Sequence, residues 1–277
     1  MHARSALFDL YGDHLLSRGG QAPVAALVRL LAPLRISGPA ARTAVSRMAR
    51  QGWLVPVRLD AGPGYQLTPR GERRMRQAAD RVYHHAPPPW DGRWHVVILH
   101  RVPERARRDR LRSALGFLGY ACLDGATWIS PRPSTELDSL LATERIGAER
   151  FVAAYDGDAA QLAARAWDID GLGRAYLRWL AMARDLTGQA AGWTGPGTAD
   201  GTSPGSPEWP DERVFATRSE LVHEWRKFLF VDPGLPAELL PAQWPGIAAA
   251  EFFDNSAARL LPAAARFVDR CLTVHDK

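Results

Sequence analysis

The apolar positions of the first eighty residues recur with a helical period. Ala6, Leu7, Leu10, Tyr11 and Leu15 form a 3.6-residue stripe that stops at Gly19-Gly20. A second stripe follows in Val24, Leu27, Val28 and Leu31, with Pro23 at a helix-opening position. Ser37 and Pro39 open a third helix. In it Ala41, Ala44, Val45 and Met48 fall on one arc, and Arg42, Thr43, Ser46, Arg47 and Arg50 on the opposite one. The pattern then changes: Trp53 to Arg58 predicts a strand, Asp60 to Gly64 a turn, and Tyr65 to Leu67 a returning strand. Thr68 and Pro69 open a last helix that runs through Met75 to Val82.

Three prolines within Ala86 to Trp90 cannot continue a helix and mark a boundary. Beyond it Trp94 to Leu99 predicts a strand, Glu104 to Leu118 a basic helix, Tyr120 to Leu123 and Thr127 to Ile129 a strand pair, Glu136 to Leu141 a short helix, and Phe151 to Ala154 a strand. That β-α-β-β-α-β order is the ferredoxin-like plan. A long helical pattern from Ala160 to Leu186 ends at Gly188, and Gly192 to Pro210 has the Gly, Pro, Ser and Thr composition of a linker. Helical periodicity resumes over 211–228 and 246–272. The expected class is α+β, in three consecutive domains: a winged helix-turn-helix over 1–86, a ferredoxin-like domain over 87–158, and an α-helical C-terminal domain over 159–277 with a flexible linker near 192–210.

Composition narrows the class. The 277-residue chain is 46% hydrophobic and 23% charged, so neither wholesale disorder nor a fibrous protein fits. No apolar run approaches the roughly 18 residues of a membrane span, and the N-terminal stretch carries Arg4, Asp9 and Asp13 where a signal peptide is greasy; a soluble cytoplasmic protein is expected. Cys122 and Cys271, far apart, offer neither a disulfide framework nor metal spacing. Charge is unevenly spread. Residues 1–86 hold 13 Arg against 5 Asp plus Glu, a net of +8, while 87–277 hold 22 cations against 25 acids, a net of −3. A basic end on a slightly acidic body points the first domain at a polyanion.

The third helix carries the chemistry that such a partner needs. In a winged helix-turn-helix this helix lies in the DNA major groove. Arg42, Arg47 and Arg50 offer guanidinium forks for guanine edges or phosphates, and Thr43 and Ser46 offer hydroxyls for phosphate oxygens. Arg58, beside a Gly-Pro-Gly turn, is placed for a neighbouring phosphate. A polar helix face is often merely solvated. Here the face has no acid and a wing follows it, and both favour DNA.

Enzymatic signals are weak: there is no H-E-x-x-H, no phosphate-binding G-x-x-x-x-G-K-S/T loop and no dinucleotide fingerprint. His95 and His100 point to opposite faces of one predicted strand, His223-Glu224 has no ligand partner at i+4, and Asp156-Gly157-Asp158 reads as a turn. No catalytic residue, metal or cofactor is expected. Arg105, Arg107, Arg108, Arg110 and Arg112 make a dense basic run: a site for a phosphorylated small molecule, or a solvated face paired with Glu104 and Asp109. The aromatics of the last third, from Trp167 to Phe253, read as core or dimer surface before they read as a ligand pocket.

Several separated motifs resemble one family: Ala6-Leu7-Phe8-Asp9-Leu10-Tyr11-Gly12-Asp13, Leu30 to Leu34 with Ala40 to Trp53, the hinge Pro87 to Trp94, Val222 to Phe228, and Leu239 to Gly246. Together they resemble the PaaX family of repressors of phenylacetic acid catabolism. The resemblance implies a homodimeric bacterial regulator with the three domains above, released from operator DNA by phenylacetyl-CoA or a related acyl-CoA. On that implication the thioester's phosphates meet Arg105, Arg108 and Arg112, and Trp225 helps line an acyl slot, in a cleft between the middle and C-terminal domains. The two-fold interface is expected in the body from Asp91 onward. A competing class is an enzyme, a nuclease or CoA-thioester hydrolase on the ferredoxin-like domain with the winged helix as adaptor. A metal-dependent nuclease needs carboxylates at the first strand's end, where His100, Arg101 and Val102 stand.

Overall fold

A computed structural model describes residues 1–83, 89–191 and 210–273. The prolines at 87 and 88 and the stretch 192–209 lie outside the described residues, as do the hinge and linker expectations placed on them. The chain gathers into two compact units, and both are discontinuous. Unit 1 is Met1–His85 with Trp179–Arg226 and Ala249–Lys277; unit 2 is Ala86–Arg178 with Lys227–Ala248. The segment from 159 onward contributes to both units, with Trp179–Arg226 and Ala249–Lys277 in unit 1 and the rest in unit 2.

In unit 1, α1 (Ala3–Leu10) continues through a wide π turn at Tyr11–Leu15 and a 3-10 turn at Leu16–Arg18, and stops at Gly19 with φ 81°. A short strand, β1 (Gln21–Pro23), precedes α2 (Val24–Leu31), which tightens into a 3-10 turn over Ala32–Leu34. After Ser37, whose hydroxyl oxygen accepts the Ala40 N–H at 3.4 Å, α3 runs over Gly38–Arg50. The chain bends by 120° between Val24–Leu34 and α3. β2 (Leu54–Leu59) and β3 (Gly62–Leu67) pair antiparallel from Leu54↔Leu67 to Leu59↔Gly62, so the turn is only Asp60-Ala61, and Gly62 to Gly64, expected in the turn, extend the strand. α4 follows over Pro69–Tyr83.

The strand order is β1-β3-β2. β1 approaches β3 so closely that a Cβ on Gly64 would lie 2.6 Å from the Ala22 carbonyl oxygen and 2.7 Å from Leu59 Cδ1; only glycine fits there.

Three later helices complete this unit: the part of α8 (Ile169–Ala191) from Trp179, α9 (Asp211–Trp225), and the part of α10 (Pro245–Thr273) from Ala249. α9 packs on α1 and on the turn at Ala32–Leu34. Phe215, Ala264, Val268 and Cys271 are buried in the same apolar cluster as Leu7, Tyr11, Leu27, Leu30 and Met48. The helices of the N-terminal segment thus bury their apolar stripes partly against residues from the far end of the chain.

Unit 2 contains β4 (Arg93–Leu99), α5 (Arg105–Phe117), β5 (Ala121–Cys122), β6 (Thr127–Ser130), α6 (Leu137–Glu144) and β7 (Ala148–Ala154). The sheet order is β5-β6-β4-β7, antiparallel throughout, so the first and third strands are central as the ferredoxin-like plan requires. Alternation along β4 sends side chains to two cores. Val97 and Leu99 join Leu115, Tyr120, Trp128, Leu137 and Leu141, with α5 and α6. Trp94 joins Ile129 with Leu162 and Ala163 of α7 (Ala159–Ala166), and with Ile169, Leu235 and Leu239. Among the described residues no single helix is long and apolar enough to cross a membrane.

Candidate nucleic-acid interface

α3 presents the two arcs read from the sequence. Ala41, Ala44, Val45 and Met48 are buried, while Arg42, Thr43, Ser46, Arg47 and Arg50 are all exposed. The helix has no acid, so the outward face holds three guanidinium groups and two hydroxyls with no carboxylate of its own. Arg58 is exposed on β2, opposite Pro63 and one residue from the end of the strand. At the other end of the hairpin Thr68 donates its hydroxyl to the Gly52 carbonyl at 2.7 Å, and Arg70 lies over the Trp53 ring at 5.0 Å. The result is a cationic helix of about three and a half turns, fixed from beneath by its apolar arc and followed by the β2-β3 hairpin.

Behind this surface lies a polar cluster that the periodicity did not announce. Asp9 on α1 accepts from Nδ1 of His223 at 2.7 Å and pairs with Arg226; Asp13 pairs with Arg218, whose Nε also donates to the Ala257 carbonyl at 3.1 Å. Burial pulls both guanidinium groups down to about 10. His14 is buried next to this cluster; burial, and then Arg18, lower it to about 4, against a smaller opposing effect of Asp269. The one hint in the sequence was two carboxylates, Asp9 and Asp13, four residues apart beside the apolar stripe of the first helix.

The residues assigned to an effector divide between the two units. Trp225 belongs to unit 1, buried in parallel stacking with Phe253 (centroids 4.8 Å apart) and edge-on to Trp179 at 4.7 Å. Arg105, Arg108 and Arg112 belong to α5 in unit 2. Arg108 donates to the Val102 and Pro103 carbonyls at 3.0 and 2.6 Å, and Arg105 reaches Asp109 at 4.0 Å; Arg112 is exposed. The principal carboxylate partner of this run is Glu144, 3.7 Å from both Arg107 and Arg110, where Glu104 was expected. Between α5 and α6 opens a groove of about 730 Å³, with Ala114, Phe117, Leu118 and Leu140 as its apolar lining.

Of the histidines weighed as ligands, His95 faces the Tyr120 hydroxyl at 2.6 Å and His100 faces Glu149 at 3.5 Å. Burial, and then Arg150, lower the His95 pKa. Asp158 caps α7, accepting from the Ala160 and Gln161 N–H groups, so the 156–158 turn is an N-cap. No group of three His, Cys, Asp or Glu among the described residues is placed to hold a metal ion. The stretch Gly201-Thr202-Ser203-Pro204-Gly205 has the spacing of a serine-nucleophile motif, but it lies outside the described residues and carries no catalytic assignment.

Three family models and two known proteins match this chain. Residues 2–71 match the family model described as PaaX-like protein, residues 87–165 the PaaX protein central Cas2-like domain, and residues 167–270 the PaaX-like protein C-terminal domain. The chain is 28% identical over 274 residues to Transcriptional repressor PaaX of Escherichia coli (strain K12), covering 95% of this chain and 82% of that protein. It is also similar to the solved structure of Uncharacterized protein Rv0674 from Mycobacterium tuberculosis, with a TM-score of 0.61 and 25% identity over 97% of this chain and 98% of the other. With three family models in order along its length and a named relative matched over nearly all of it, the chain belongs to the PaaX family.

Proposed function

We propose that the chain is a ligand-responsive, DNA-binding transcriptional repressor that reads its operator through a winged helix-turn-helix built from α1 to α3 and the β2-β3 hairpin. The observation that carries this reading is the exposed, acid-free face of α3. It follows a three-residue turn and a 120° bend, within the range of helix-turn-helix units. Arg42 and Arg47 are the candidates for bidentate contact with guanine edges, Thr43, Ser46 and Arg50 for phosphates beside them, and Arg58 for a phosphate under the wing. Family membership supports the reading, since the named relative is a transcriptional repressor.

Two such chains on a pseudo-palindrome would set their recognition helices one DNA turn apart, about 34 to 36 Å, or a multiple of it. A homodimer is therefore part of the proposal. The effector we assign is phenylacetyl-CoA or another acyl-CoA, which acts by binding the DNA-incompetent arrangement better than the competent one. Arg105 and Arg112 are the cations of α5 best placed to meet its phosphates. Arg108, engaged with backbone carbonyls, and Trp225, packed in its aromatic stack, are weaker candidates than the sequence suggested. The nuclease or thioesterase alternative is an outcome of the same test.

The test is a gel shift on the duplex upstream of the protein's own gene, repeated with phenylacetyl-CoA, other acyl-CoAs, free phenylacetate and free CoA. Sequence-specific retardation released by one thioester supports the proposal. Retardation of every duplex alike, or cleavage of the probe in Mg²⁺, overturns it.

A further inference from the structure

The backbone between α2 and α3 reverses at a residue whose conformation does not suit it. Arg35 sits in the left-handed region at φ 60° and ψ 33°. Side chains bearing a Cβ are disfavoured there, and Gly or Asn is the usual occupant. The reversal itself is well determined by its neighbours. The Arg35 N–H donates to the Ala32 carbonyl at 2.9 Å, the Ile36 N–H to the Leu31 carbonyl at 3.3 Å, and Leu31 and Ile36 on either side are buried. Nothing in that geometry calls for arginine. The side chain is exposed and, among the described residues, makes no hydrogen bond or ion pair.

A long cation held at a strained turn, without a partner, has no structural task to offset its strain. Its position gives it another. In a helix-turn-helix the first helix of the pair crosses the phosphate backbone while the second enters the groove, so the turn that joins them travels along the phosphates. Arg35 lies two residues before the cap of α3, on the same segment as Arg42, Arg47 and Arg50, with no acid between Arg35 and Arg50. We propose that Arg35 is a further DNA contact of this protein, a phosphate-binding residue at the turn that adds affinity without sequence preference.

The inference rests on the reading of α3 as the recognition helix, and the experiment separates the two. Full-length wild type, Arg35→Gly, Arg35→Asn, Arg47→Ala and Arg145→Gly are titrated onto an operator duplex and an unrelated duplex over a range of salt, and their melting temperatures are recorded. Arg145, the other non-glycine residue described with positive φ, ends α6 and serves as the control for released strain.

Both Arg35 variants are expected to melt at or above the wild-type temperature, since Gly and Asn accept this backbone. Both are expected to lose several-fold affinity for the two duplexes alike, with the slope of log K against log salt less steep by about 0.9, the signature of one lost phosphate contact. Arg145→Gly is expected to melt higher and bind unchanged. Arg35 variants that bind with wild-type affinity and slope overturn the inference; if Arg47→Ala then still loses operator preference, the recognition-helix reading stands without it. If the wild type prefers neither duplex, that reading falls and the inference with it.

Discussion

Nδ1 of His223 lies 2.7 Å from Oδ2 of Asp9, although 214 positions separate them in the chain. A carboxylate only accepts, so in this contact Nδ1 carries the proton. Arg226, three residues further on, engages the same carboxylate and lays its guanidinium over the Phe8 ring at 4.6 Å. A buried charge persists only when it is paired, and Asp9 has both a ring N–H and a guanidinium for that purpose. The contact joins α1 to the end of α9, so a helix from the last third of the chain is tied to the first helix of the proposed DNA reader.

Removing one member of such a cluster strands the others. Asp9→Ala is expected to cost about 3 to 5 kcal/mol, because the Arg226 charge is left buried without its counter-charge. Urea denaturation read by near-ultraviolet circular dichroism measures it. A loss below about 1 kcal/mol, the range of exposed ion pairs, would show that the cluster contributes no more than a surface contact.

His14 makes stability depend on acid. Its folded-state pKa, lowered to about 4, stands below the unfolded value of 6.5, so between those limits the unfolded chain binds the extra proton. Stability from this group is complete above about pH 6.5 and declines as pH falls to about 4, by roughly 3 kcal/mol in total. Denaturant midpoints collected from pH 7 to 4.5 are expected to fall more steeply for wild type than for His14→Gln. Parallel curves would assign the acid sensitivity elsewhere.

On the recognition face, Arg42→Ala and Arg47→Ala are each expected to cost about 1 to 3 kcal/mol of binding, concentrated at one base pair of the operator. Arg58→Ala is expected to weaken all duplexes alike and to reduce the salt slope by about one. Fluorescence anisotropy over a panel of operator substitutions distinguishes the two patterns. An Arg47→Ala protein with unaltered base preference would remove that residue from the groove.

Phe215 belongs to α9 yet is wholly buried in the N-terminal core. Phe215→Ala is expected to cost about 3 to 5 kcal/mol. Amides of α1 and α3 are expected to lose hydrogen-exchange protection together with those of α9. Protection lost in α9 alone would show that the N-terminal helices hold without it.

The helices around the candidate interface were legible because each signal was local. Ser37 caps α3, and its two arcs separate apolar from cationic positions within thirteen residues. The middle domain was equally open to reading, since its β-α-β-β-α-β order admits few topologies. β1 was missed because three residues ending in proline carry no alternation, and its place depends on Gly64, 42 positions beyond Ala22 in the chain, which lets it approach. The partnership of α9 and α10 with α1 was not legible for a different reason. Periodicity tells that a helix has an apolar face, but not which face it meets; Phe215 and Val268 look the same whether they close their own bundle or another. Asp9 and His223 each read as an isolated polar residue until their partner is placed beside it.

The discontinuity of unit 1 constrains how such a protein can change. A DNA-reading head that ended near residue 85 could be exchanged between regulators as a cassette, joined to a new sensor by one crossover. Here that cassette would arrive with an unfilled core, because Phe215, Ala264, Val268 and Cys271 are encoded far downstream. On the proposed reading, new operator preferences are therefore reached by substitution on the exposed arc of α3, which lies outside that core. Changes on its buried arc have to be matched by compensating changes in α9 and α10, so that opposite ends of the gene are inherited as a single unit.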